Sequence, residues 1–191
     1  MMKNPAFDGW VLELDFLVQL GLAQERRAPD RREVEMFTTD QRPPWKVEQI
    51  TSQVTIEAIT RGELTVTFKD GHWLVPERYN QGAYDAAVFV RGDNGNLKLR
   101  FVNVTRSTMH DVKCSCMSSL LTALQIQWEE TNKVNVKPFP VTAVEFMWIR
   151  PYENRALPAI PPSVYDSQSV CDYFVWESPK TREIGRARGG E

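Results

Sequence analysis

Three short stretches hold the residue types that metal-assisted chemistry on phosphate esters requires: Glu13, Asp85 and Asn103-Val104-Thr105. Phosphodiester hydrolysis of that kind uses two or three hard oxygen ligands converging on Mg²⁺ and a group that orients water. The carboxylates of Glu13 and Asp85 and the amide oxygen of Asn103 are such ligands. Their spacing places them on separate elements, so the fold must bring a helix and two strands together before they can act as one site. Other chemistries have no counterpart in the chain. There is no G-x-x-x-x-G-K-[ST], G-x-G-x-x-G or G-x-S-x-G, and no C-x-x-C or H-E-x-x-H. The three cysteines, Cys114, Cys116 and Cys171, cannot form a disulfide framework and read as small buried hydrophobes of a reducing compartment.

The positioning elements are legible to different degrees. Asn4 is a good N-cap and Pro5 suits a first helical turn, so a helix is predicted over 5–21. Phe7, Trp10, Val11, Leu14, Leu17, Val18 and Gly21 recur at helical spacing as its apolar side, with Asp8, Asp15 and Gln19 on the wet side. Glu13 falls beside Trp10, Leu17 and Leu20 at the edge of the apolar surface, where a carboxylate is partly desolvated. Residues 24–44 form a charged, proline-containing connection carrying Arg26, Arg27, Arg31 and Arg32. Alternation predicts short strands over 54–58 and 64–68, with turns at Arg61-Gly62 and Lys69-Asp70-Gly71.

Residues 84–105 read as a hairpin closed by Gly92-Asp93-Asn94-Gly95-Asn96. On its second strand Leu97, Leu99, Phe101, Asn103 and Thr105 share one face, and Lys98, Arg100, Val102 and Val104 the other. A second helix is expected over 108–127, opened by Thr108 and Asp111, with strands over 142–149 and 172–176 after it. Residues 151–162 form a proline-rich loop, and 178–191 a basic, flexible tail. The order of elements predicts one mixed α/β (α+β) domain over 4–177, a central mixed sheet flanked by helices.

A chain of 191 residues with net charge −2, 42% hydrophobic and 25% charged, is ordinary globular material rather than a disordered or fibrous one. No apolar run reaches about 18 residues, so no membrane span is expected. Met1-Met2-Lys3 leads into Asn4-Pro5 rather than an apolar core, so no secretory signal is expected either. The slightly acidic balance means that nucleic-acid contact would depend on a local patch, of which Arg26, Arg27, Arg31 and Arg32 are the best candidate.

The segments His72-Trp73-Leu74-Val75-Pro76, Tyr79-Asn80-Gln81-Gly82-Ala83-Tyr84-Asp85-Ala86 and Leu99-Arg100-Phe101-Val102-Asn103-Val104-Thr105, followed by His110, resemble the C-terminal domains of crinkler effectors. These are secreted virulence proteins of oomycetes with relatives in fungi and other eukaryotes. Asn4-Pro5-Ala6-Phe7-Asp8-Gly9-Trp10 and Val144-Glu145-Phe146-Met147-Trp148-Ile149-Arg150-Pro151 fit the same pattern, which covers roughly residues 4–177. The resemblance implies a restriction-endonuclease-like PD-(D/E)XK fold, in which a helical Glu, a strand Asp and an E/Q-x-K-like element form the site. Carried over, Glu13, Asp85 and Asn103 are Mg²⁺ ligands, Thr105 stands where active nucleases usually have Lys, and His110 is a candidate base. The arena it implies is a host cell, often its nucleus, with DNA as substrate. Two departures bear on catalysis: Asn is a weaker Mg²⁺ ligand than a carboxylate, and Thr supplies no ammonium. The alternative reading is therefore a catalytically silent module that binds a host protein or nucleic acid. Each residue also has a plain structural role open to it. Glu13 would pair with an arginine, Asp85 would end a turn at Gly82, His110 would bond at a helix start, and the arginines would form a solvated surface.

Overall fold

The computed structural model of the chain describes residues 5–25, 33–34, 45–78, 84–92, 95–104, 114–135, 137–151 and 180–184. In chain order the elements are α1 (Pro5–Glu25), β1 (Glu33–Val34), β2 (Trp45–Lys46), β3 (Gln49–Val54), α2 (Ile56–Thr60), β4 (His72–Pro76), β5 (Ala86–Arg91), β6 (Leu97–Val104), α3 (Cys114–Thr131), β7 (Val141–Pro151) and β8 (Lys180–Ile184). The short strands β1 and β2 pair with each other, and the other six form one sheet in the order β3-β4-β5-β6-β7-β8. β5 is antiparallel to both its neighbours, while β3–β4, β6–β7 and β7–β8 are parallel. The architecture is the expected mixed sheet flanked by helices.

The two faces of the sheet are covered differently. Parallel neighbours need a crossover, and α2 and α3 lie on the β3–β4 and β6–β7 crossovers, in contact with each other. Met117, Leu120, Leu121 and Leu124 of α3 recur at helical spacing and pack on Leu74, Ala87, Phe89, Leu99, Phe101 and Val144. On the opposite face Phe16, Leu20 and Ala23 of α1 pack on Trp73, Ala86, Val88, Val102, Val104, Met147 and Ile149. The period of two along β5 and β6 sends alternate side chains into the two cores.

The hairpin β5–β6 forms as its sequence suggests, in register from Ala86↔Val102 to Arg91↔Leu97. Gly95, at φ 78, supplies the left-handed residue of the turn. Three other expectations are corrected. Residues 54–58 are not a strand: β3 ends at Val54, and Thr55 caps a helix, its Oγ1 accepting from Ala58 N at 3.1 Å. Residues 64–68 are not a strand either. Their backbone is satisfied by a side chain, the buried Gln127 of α3, whose Oε1 accepts from Val66 N at 2.8 Å and whose Nε2 donates to Leu64 O. His72–Pro76, which the alternation did not single out, is a central strand; a short apolar run carries no decisive period.

The α1 interface is a further correction. Val11, Leu14 and Val18 are 40–49% exposed, whereas Phe16, Leu20 and Ala23 are buried. α1 is apolar almost all round, so its periodicity does not single out the face that docks. At the C-terminal end, 172–176 lies outside the described residues, and Lys180–Ile184, read as tail, pairs in parallel with β7. Among the described residues no helix is long and apolar enough to cross a membrane.

Gln127 provides a direct test of this packing. Gln127→Ala removes both hydrogen bonds to the 64–66 segment and leaves a buried amide N–H and carbonyl unpaired. It is expected to cost about 2 kcal/mol, read as a lower urea midpoint at unchanged m-value. An unchanged midpoint would mean that water replaces the amide.

Candidate functional site

Glu13 and Asp85 meet at one end of the sheet. Glu13 lies one turn before Phe16 and Leu17 on α1, on the side that docks, so burial of Phe16 and Leu20 carries its carboxyl to the sheet. Asp85 stands at the entrance of β5. Its N–H donates to Val102 O at 2.8 Å, and its Oδ2 accepts from Val104 N at 2.6 Å. The side chain thereby extends the β5–β6 ladder by one bond, which answers why an Asp begins an apolar strand. Glu13 and Asp85 are hydrogen-bonded to each other.

The electrostatics follow from that contact. Burial, then the negative charge of Asp85, then the hydrogen bond to it, push the Glu13 carboxyl up from its ordinary 4.5 to about 7. Near neutral pH Glu13 is therefore partly protonated. Glu13 and Asp85 line an open cleft together with Leu17, Val75, Pro76, Glu77, Arg78 and Tyr84. Tyr84 is buried, its ring 4.9 Å from that of Phe101, and desolvation raises its hydroxyl well above the usual range.

The other sequence candidates fall differently. Asn103 is 4% exposed, and its Oδ1 has no hydrogen-bond partner. Leu97, Leu99 and Phe101 belong to the α3 core and Val102 and Val104 to the α1 core, so alternation puts Asn103 on the α3 face of β6, the face that Ala87 and Phe89 share on β5. The fold thus unites Glu13 with Asp85, and Asn103 is not among the described residues that line their cleft. Thr105, His110, Arg26, Arg27, Arg31 and Arg32 lie outside the described residues. Lys98 and Arg100 do face away from Asn103, as alternation requires, and both bind Glu145. His72 is buried, with Nε2 2.8 Å from Thr51 Oγ1, and burial lowers its pKa. It bridges β3 and β4 as a neutral group. Cys116 is a half-buried thiol on α3.

The sequence reading missed Glu77, Arg78 and Tyr84 as cleft residues. The signal was present in part: Tyr84 precedes Asp85, and Glu77 and Arg78 follow the short apolar run that becomes β4. Among the described residues no group of three or more His, Cys, Asp or Glu is placed to hold a metal ion. The donor set is thus the carboxylate pair. Mg²⁺ commonly takes one or two carboxylates and keeps several waters, and a cation there would relieve the charge conflict that raises Glu13, so the pair fits such an ion at the minimum of protein ligands.

No protein-family model matches the chain, and neither a curated protein nor a solved structure matches it.

Proposed function

We propose that the chain is a nuclease-like domain of the crinkler effector type, acting on DNA in a host cell, with Glu13 and Asp85 as the pair that holds a divalent cation. The observation that carries this reading is the meeting of a helical Glu with a strand Asp at one end of a mixed sheet flanked by helices. Two acids in contact are a poor way to stabilise a fold and a good way to receive a cation. When bound, Mg²⁺ supplies Lewis-acid activation of a phosphoryl oxygen and a more acidic water. The residues' own contribution is to hold two carboxylates together in a partly desolvated cleft, one of them anchored by the Val104 N–H.

The test is cleavage of plasmid and oligonucleotide DNA with Mg²⁺ or Mn²⁺, beside melting curves with and without the metals. Binding at a concentration a hundredfold above Kd adds about 3 kcal/mol, roughly 5–10 °C for a chain of this size. Asp85→Asn keeps the acceptor for Val104 and is expected to abolish both cleavage and the metal shift. Wild-type protein with neither cleavage nor a shift at millimolar metal would overturn the reading.

A second reading has its own observation. Among the described residues no group of three or more His, Cys, Asp or Glu is placed to hold a metal ion, and Asn103 is not in the cleft lining. These facts favour a catalytically silent relative that binds DNA or a host protein through the retained scaffold. It predicts DNA or protein binding that is indifferent to Mg²⁺ and to Asp85→Asn.

A further inference from the structure

Among the described residues, the cleft that holds Glu13 and Asp85 has one basic side chain in its lining, Arg78. Its backbone is fixed from the neighbouring strand. The amide of Glu77 donates to Val54 O at 3.2 Å, tying the exit of β4 to the end of β3. That bond sits at a bulge: β3 carries an extra residue between Thr51 and Val54, with Gln53 at φ 59. The chain therefore holds Arg78 at the mouth of the cleft by a specific irregularity of the sheet edge.

Several other cations among the described residues are committed to carboxylates. Lys98 and Arg100 bind Glu145, Lys46 binds Glu48, and Arg61 binds Glu63. The guanidinium of Arg78 makes no ion pair or hydrogen bond among the described residues, although carboxylates share its cleft. Glu13 and Asp85 hold each other, and Asp85 also accepts from Val104. An anion entering this cleft meets the negative charge of Asp85 and Glu77, and among the described residues Arg78 is the lining group with positive charge to offer. A guanidinium fork matches phosphate oxygens in pairs.

We propose that Arg78 is the phosphate-binding residue of the cleft, taking the non-bridging oxygens of a nucleic-acid phosphodiester beside the Glu13–Asp85 pair. This rests on the nuclease-like reading above. It assigns substrate positioning to a residue outside the carboxylate pair.

The experiment is fluorescence anisotropy of labelled DNA oligonucleotides, without added metal and at several salt concentrations, on wild type, Arg78→Gln and Arg78→Lys. Arg78 is exposed, so both variants should fold, and their melting curves check this. Arg78→Gln is expected to weaken binding about tenfold. It should also reduce the slope of log K against log salt by about one. Arg78→Lys should restore the slope but only part of the affinity, because it keeps the charge and loses the fork. The melting response of Arg78→Gln to Mg²⁺ should equal that of wild type. Equal affinity and slope for wild type and Arg78→Gln, or no wild-type binding at low salt, overturns the proposal. A wild type that melts identically with and without Mg²⁺ but binds DNA through Arg78 sinks the metal reading and leaves Arg78 in place. A Mg²⁺ response with binding indifferent to Arg78 sinks the Arg78 role alone.

Discussion

Glu145→Ala is expected to cost about 3–5 kcal/mol of folding stability. Glu145 lies on β7, 7% exposed, and serves two cations from β6. Lys98 Nζ is 3.3 Å from Oε1, and Arg100 Nε donates to Oε2 at 2.7 Å. The side chains of Lys98 and Arg100 are only 16% and 19% exposed. Alanine removes a carboxylate that serves both and leaves two largely desolvated cations without it. The parallel β6–β7 pairing fixes them there, since Arg100 and Glu145 are register partners. Urea denaturation should show a lower midpoint at unchanged m-value. Glu145→Gln, which keeps an acceptor and loses the charge, should fall between wild type and Glu145→Ala. A cost below about 1 kcal/mol would place the cluster among solvated surface pairs.

Glu13→Gln is expected to stabilise the protein increasingly as pH rises. The folded state pushes Glu13 up from 4.5 to about 7, so between those values the native chain holds a proton that the unfolded chain has lost. Stability therefore falls with rising pH across that window, and the cost is fully present above it. Each pKa unit is worth a little over 1 kcal/mol, so the ceiling is about 3 kcal/mol, trimmed by the solvent that still reaches the carboxyl. Glutamine copies the protonated acid, including its ability to donate to Asp85. The two proteins should match near pH 4, diverge through pH 4.5–7 and keep a constant gap above. His72 contributes the opposite slope. Its pKa is lowered by burial, so stability is lost as pH falls below its ordinary 6.5. The difference between variant and wild type cancels that contribution, which a single profile would not. Parallel curves for wild type and Glu13→Gln would show that Asp85 and burial do not perturb Glu13.

The hairpin shows where local information suffices. Its turn glycines, its β-rich strands and the alternation from Leu97 to Val104 fix both the pairing and the face of every residue on β6, including the separation of Lys98 and Arg100 from Asn103. The segment at 64–68 shows the opposite case. Its alternation is real, but Gln127, about sixty residues downstream, takes the hydrogen bonds that a neighbouring strand would have supplied.

By itself, then, the sequence determined the mixed α+β class, the hairpin and the helical nature of α1 and α3, because these depend on turn chemistry, capping and short-range periodicity. It also determined that Glu13 and Asp85 are out of place, a carboxylate at an apolar helix edge and an Asp at the head of an apolar strand. Only the tertiary structure decided that these two meet, that Asp85 is held by the amide of Val104, and that Arg78 joins them in one cleft. It alone decided which side of α1 docks, because a helix apolar on every side has no preferred face until a sheet selects one. Contacts between residues about seventy positions apart depend on that docking and on strand order, and neither is written in local pattern.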